Sequence, residues 1–194
     1  MTNRSVTAST PKPKARRVKA SPPKPGTLAS GILSQVARNF SELLSQTLDE
    51  QLTSIVLFGS VARGEATKKS DIDVLVVVKA PTDADLIALR EQVTELCLDF
   101  EAGPEVSALA LRGFAVAIRP IVYPETEALR THLFYLDLAV DGQILYDPDQ
   151  FIVTKLAQVR QRMLELGTRR EYLTHKRWVW LLKPGMSPGE RVEL

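Results

Sequence analysis

Two aspartates one residue apart, Asp71 and Asp73, followed directly by the apolar run Val74 to Val78, are the residues of this chain best suited to chemistry. In a strand that has begun by Asp71, the period of two puts both carboxylates on one face and turns Ile72 the opposite way, into the core. Like charges held side by side repel, and a chain tolerates the pair mainly when a cation sits between them. Oxygen ligands of this kind suit magnesium or manganese, which keep several waters and are commonly completed by substrate phosphates. Upstream, a second apolar run, Ile55 to Phe58, ends in Gly59-Ser60. If that pair closes one strand and opens a short helix, Gly59 lets the backbone come close to a ligand. The Ser60 hydroxyl and neighbouring N–H groups then donate to a β- or γ-phosphate.

These residues need elements to position them. Both apolar runs are too β-branched for surface loops and read as short buried strands, with Gly64 and Lys68-Lys69-Ser70 as the polar connection between them. Before them, Ile32, Val36, Phe40, Leu43, Leu44 and Leu48 recur at helical spacing, which predicts an amphipathic helix over 28–48 lying across the sheet. After them, Pro81-Thr82-Asp83 offers a helix start with Thr82 or Asp83 as cap, and Leu86, Leu89, Val93, Leu96 and Cys97 line one face of the helix that follows. Residues 105–111 are assigned to a third strand, with Glu105 at its start. Glu105 then either joins Asp71 and Asp73 at one sheet edge or is a solvent-facing strand terminus; Ser107 would share its face. Residues 112–124 are left between an edge strand and a helix turn. Pro124 opens a helix predicted to run to about Val140, with His132 a structural or surface residue. A short strand at 143–146, a helix at about 149–166, and an extended arm carrying Trp178 and Trp180 on one face complete the chain. The arm packs against the body or against a second subunit, which leaves a homodimer open.

The 194 residues suffice for one core of ordinary size: a basic, Pro-rich tail over 1–26, expected to be disordered, and a single domain over 27–194 with a helical C-terminal part. The tail holds seven Lys or Arg and no acid, whereas residues from Thr27 onward carry 18 basic against 23 acidic side chains. Overall basicity is therefore no argument for a nucleic-acid-binding fold, and the tail is either a solvated arm or a weak contact to nucleic acid. In the folded part the basic residues gather at Arg160, Arg162, Arg169, Arg170, Lys176 and Arg177, as a solvated face or an attractor of polyanions. A single cysteine excludes an intramolecular disulfide and a cysteine-based zinc site and fits a reducing, cytoplasmic setting. No apolar stretch approaches the roughly 18–20 residues that span a membrane. Walker A, dinucleotide, zincin and serine-hydrolase motifs are absent.

Taken together, Gly59-Ser60, Arg63-Gly64 and Ser70-Asp71-Ile72-Asp73 leading into an apolar strand resemble the signature of the DNA polymerase β-like nucleotidyltransferase superfamily, most of all its minimal members. The resemblance implies an α/β fold, a small mixed sheet with helices packed on it, and metal-dependent transfer of a nucleoside monophosphate from an NTP to a hydroxyl. Adenylylation from ATP of a protein or RNA acceptor is the expected reaction, with Mg2+ or Mn2+ as the ion. It further implies that Gly59 and Ser60 contact the triphosphate and that Arg63 and Ser70 belong to the nucleotide site. Asp71 and Asp73 would ligate metal, and a third acidic residue on a later strand would fall at or near Glu105, with Asp99 as fallback. Minimal nucleotidyltransferases often pair with a toxin as its antitoxin, so a cognate toxin is an expected partner. Two other readings stand beside it: an NTP-binding or interaction domain that keeps the fold without turnover, and an Asp-Ile-Asp pair that merely caps a strand.

Overall fold

The computed structural model describes residues 26–174, 177–187 and 190–192; the tail expected over 1–26 lies, except for Gly26, outside them. The centre is a four-stranded mixed sheet in the order β3-β2-β1-β4, with β1 at Leu52–Phe58, β2 at Ile72–Val78, β3 at Ile118–Pro124 and β4 at Gln143–Tyr146. β1 is antiparallel to both β2 and β4, and β2 is parallel to β3. The strand period divides the central side chains between two cores. Ile55, Leu57, Ile72, Val74, Val76 and Val78 pack with α1 (Leu28–Leu48) and α3 (Asp83–Glu101). Val56, Leu75 and Val77 pack on the other face with α6 (Tyr135–Asp141) and α7 (Phe151–Leu166). Cover on both faces is why β1 and β2 read as unbroken apolar runs, each fully buried side chain contributing about 1.5–3 kcal/mol.

Local chemistry sets the element ends. Thr27 caps α1, its hydroxyl accepting the Ser30 N–H at 3.0 Å, and Thr82 with Asp85 forms a capping box at the start of α3. Asp147 receives the N–H groups of Ile152 (3.2 Å) and Val153 (3.0 Å), which starts α7 at Phe151 rather than at 149. Cys97 is on the buried face of α3, and desolvation pushes its thiol up to about 12, as befits a small core residue.

Three expectations are corrected. Residues 105–111 are not a strand: Pro104–Leu111 is a helix, α4. Gly103 precedes Pro at the first helical position, Glu105 favours the first turn, and the buried residues Val106 and Leu109 are three apart, a helical spacing. The third strand is instead β3, drawn from the stretch left unassigned; Pro120 fits there because β3 is an edge strand. The helix expected from Pro124 to Val140 is two pieces, α5 (Glu125–Ala128) and α6. Between them, backbone carbonyls are taken by side chains: the buried Tyr135 hydroxyl donates to Ala128 O (2.8 Å) and the buried Lys155 ammonium to Leu129 O (2.6 Å) and Thr131 Oγ1 (2.8 Å). Burial shifts Lys155 downward and Tyr135 upward, each toward its neutral form.

After α7, Gly167 in the left-handed conformation (φ +69°) reverses the chain into a two-stranded sheet of β5 (Arg169–Thr174) and β6 (Arg177–Leu181). Among the described residues no helix is long and apolar enough to cross a membrane.

Candidate active site

The residues singled out from the sequence meet at the sheet edge where β1 ends and β2 begins. β1 passes at Phe58 into α2, the single turn Gly59–Ala62, and Phe58 lies opposite Asp73 in the ladder. Gly59 has φ +72°, a conformation open to glycine at little cost, and a Cβ built there would stand 2.0 Å from Asp73 Oδ2. Glycine is thus required twice over, by the backbone and by the carboxylate against it. Asp71 immediately precedes β2, and its closeness to Asp73 is felt electrostatically. Burial, then the Asp71 charge, raise the Asp73 carboxyl above the usual range; Arg63 and Arg119 pull in the opposite direction. Neither carboxylate makes an ion pair or hydrogen bond with another described residue. Ser60 is half-exposed, and its hydroxyl is likewise without a hydrogen bond among the described residues.

The supporting loop is fastened to the start of α1. Thr27 donates its N–H to Gly64 O (3.0 Å) and its hydroxyl to Ala66 O (2.7 Å), and the Ala66 N–H donates to Ser30 Oγ (2.9 Å). Ser70 closes the last turn before Asp71, its hydroxyl accepting the Thr67 N–H at 3.0 Å. Arg63 is engaged on both sides, bonded to Glu65 at 3.1 Å and lying over the Trp178 ring at 4.9 Å from its centroid.

Glu105 is elsewhere. It occupies the first turn of α4, and its carboxylate accepts the Asn39 side-chain amide at 2.9 and 3.0 Å, against the far half of α1. Among the described residues no three or more His, Cys, Asp or Glu side chains are grouped to hold a metal, and Glu105, expected as third ligand, stands apart from Asp71 and Asp73. The cause is the helix at 104–111: without a strand there, Glu105 has no route to the sheet edge. Ser107 leaves with it, and Asp99 sits near the end of α3.

Two groups beside the site were not singled out from sequence. Arg119 of β3 is the parallel partner of Asp73, invisible while β3 was unassigned. Arg170 of β5 binds Asp137 (2.6 Å) and Asp141 (2.5 Å) of α6 and lies 4.8 Å from the ring centroids of both Trp178 and Trp180. It was counted only as part of a basic cluster, and that cluster is largely spent internally. Arg160 donates to Ala139 O, Arg162 pairs with Glu165 and Arg169 with Glu171.

The nucleotidyltransferase domain family matches residues 34–128, a span holding every element of this edge from most of α1 to α5. Residues 34–128 are a nucleotidyltransferase domain. The chain is similar to two proteins of Methanocaldococcus jannaschii that bear the name "putative protein adenylyltransferase". One is 29% identical over 92 residues, covering 47% of this chain and 80% of the relative. The other is 27% identical over 131 residues, covering 66% and 82%. A solved structure of the toxin–antitoxin MntA–HepT is 19% identical with a TM-score of 0.37, over 69% of this chain and 92% of that chain.

The Asp71–Asp73 pair fits a hard divalent cation by its donor chemistry: two neighbouring carboxylates, unpaired by any described lysine or arginine. For a second cation the fit fails, because no third carboxylate joins them among the described residues.

Proposed function

We propose that this nucleotidyltransferase moves AMP from ATP to a hydroxyl of a protein acceptor in the cytoplasm. The observation that carries the reading is the placement of Gly59 directly against Asp73, with the unbonded Ser60 hydroxyl next in the chain and the Asp71 charge close enough to act on Asp73. Asp71 and Asp73 would hold Mg2+ or Mn2+, which when bound would neutralise triphosphate charge. Ser60 and the adjoining backbone N–H groups hold the phosphate tail, and Gly59 leaves room for it. In the transfer, the acceptor oxygen bonds to the α-phosphorus as the bond from that phosphorus to its β-bridging oxygen breaks. Pyrophosphate departs with the electron pair, and the hydroxyl proton passes to water. Positioning and charge stabilisation carry the rate, and no protein nucleophile is needed. AMP and a protein acceptor are preferred over other nucleotides and RNA because the two archaeal relatives bear the adenylyltransferase name. A cognate toxin is the partner proposed, on the strength of the motif's resemblance to minimal nucleotidyltransferases.

Incubating the full chain with each labelled NTP, Mg2+ or Mn2+ and a lysate of its source tests this. Label on protein from ATP, lost in Asp71→Asn and Asp73→Asn, is the expected result; no transfer from a correctly folded chain under any metal or nucleotide would refute it. One observation favours the second reading, an NTP-binding domain without turnover: the missing third carboxylate. Saturable ATP binding with no transfer would establish that alternative.

A further inference from the structure

A second cation beside Asp73 would need a carboxylate from one of the strands flanking it, and both flanking positions are occupied otherwise. On the β1 side stands Phe58, and on the β3 side Arg119. Residues paired in a ladder face the same way, so Arg119 shares the Asp73 face with Ile121 and Tyr123, which pack against the α6–α7 core. The place open to a third acid therefore carries a guanidinium.

This arginine is unlike the others near the site. Arg63 is held by Glu65 and Trp178, and Arg170 by two aspartates and two tryptophans. Arg119 is exposed, makes no ion pair among the described residues, and donates a long hydrogen bond, 3.4 Å, to the adjacent Ile118 O. It is near enough for its charge to act on Asp73 without closing a salt bridge to it. A planar, permanently charged donor set left open beside a nucleotide site is suited to phosphate oxygens.

We infer that the site takes one divalent cation, at Asp71 and Asp73, and that Arg119 supplies the second positive charge by binding the triphosphate tail from the β3 side. This rests on the nucleotide-site reading above and adds to it a specificity for polyphosphate: Arg119 discriminates ATP from AMP.

The test measures binding to the full chain of α,β-methylene-ATP and of AMP, with Mn2+ counted by electron paramagnetic resonance. One Mn2+ per bound analogue is expected. Arg119→Ala should weaken the triphosphate analogue by about 10-fold or more, the scale of a hydrogen bond to a charged group, with AMP affinity unchanged and Arg119→Lys intermediate. Arg119→Asp should raise the Mn2+ count toward two. Two Mn2+ on the native chain, an unchanged analogue affinity in Arg119→Ala, or an equal loss for AMP would each overturn the inference while leaving nucleotidyl transfer intact. Failure of the native chain to bind either analogue or Mn2+ would overturn both. Unchanged thermal melts confirm that the variants, altered at an exposed side chain, are folded.

Discussion

The reacting edge and the β5–β6 hairpin are held by different kinds of constraint. At the edge, Gly59, Ser60, Asp71 and Asp73 lie within one short stretch, and the tolerance is steric, set by one positive φ and by a Cβ that would overlap a carboxylate. At the hairpin the bonds reach across the chain: Arg170 joins β5 to two aspartates of α6, and both Arg170 and Arg63 lie over the Trp178 ring. Changes at the edge should therefore cost chemistry and little stability, and changes at the hairpin the reverse.

The sharpest break comes at Asp71 and Asp73. Replacing either with Asn should lower the transfer rate by on the order of 10²–10³-fold or more, the scale of losing a preorganised charge-stabilising group, as read by label incorporation. Stability should move the other way for Asp73. Its folded pKa is raised by burial and by Asp71, so its charged form works against folding above the ordinary aspartate range, and the stabilisation from protonating it is lost as pH rises through the raised pKa. Asp73→Asn should accordingly melt slightly above the native chain at neutral pH without metal. By the same sign, Mn2+ affinity of the native chain should fall on acidification from a higher pH than an unperturbed aspartate would give. A titration following an ordinary aspartate would contradict this.

Gly59→Ala ranks next. The left-handed conformation costs a non-glycine residue about 1–2 kcal/mol, and the methyl group must displace the Asp73 carboxylate. A displacement of that size is worth up to about 10² in rate, with protein still folded by circular dichroism. At the hairpin, Arg170→Leu removes two partly buried ion pairs and two ring contacts. The expected loss is about 2–3 kcal/mol in urea unfolding, below the ~3–5 of a fully buried pair. Trp178 and Trp180 are the chain's two tryptophans, so their fluorescence reports this undocking directly. ATP-analogue affinity in Arg170→Leu should change far less than stability; a larger effect on binding would dissolve the distinction between the two regions.

The same difference governs what could be read from the sequence. Around Gly59 and Asp73 the informative contacts are local, so apolar runs and a glycine were enough to place the strands, although β2 begins at Ile72 and leaves Asp71 just outside the period of two that would set its face. Thr82 and the spacing of α1 were legible for the same reason. β3 was not, because its identity comes from pairing with β2, and Pro120 at its centre obscures the pattern that an edge strand still permits. The break between α5 and α6 depends on Lys155 and Tyr135 claiming backbone carbonyls, one of them from a later helix. Arg119 and Arg170 likewise gain their roles only from partners distant in sequence.

Glu105 supplies the smallest expected effect and the most pointed control. Its carboxylate meets Asn39 on an exposed surface and sits in the first turn of α4, where the helix dipole favours it. Glu105→Gln removes the charge yet keeps a side chain that can bond Asn39, so the loss should be within about 0.3–1 kcal/mol, the value of one charge at an exposed helix start. Transfer rate, Mn2+ count and ATP-analogue affinity should all stay at native levels. Were Glu105 a metal ligand, the same substitution would reproduce the Asp71→Asn phenotype, because the chemistry does not distinguish one coordinating carboxylate from another. A matched loss of transfer and Mn2+ in Glu105→Gln would thus return the third ligand to α4 and require that helix to swing to the sheet edge when nucleotide binds.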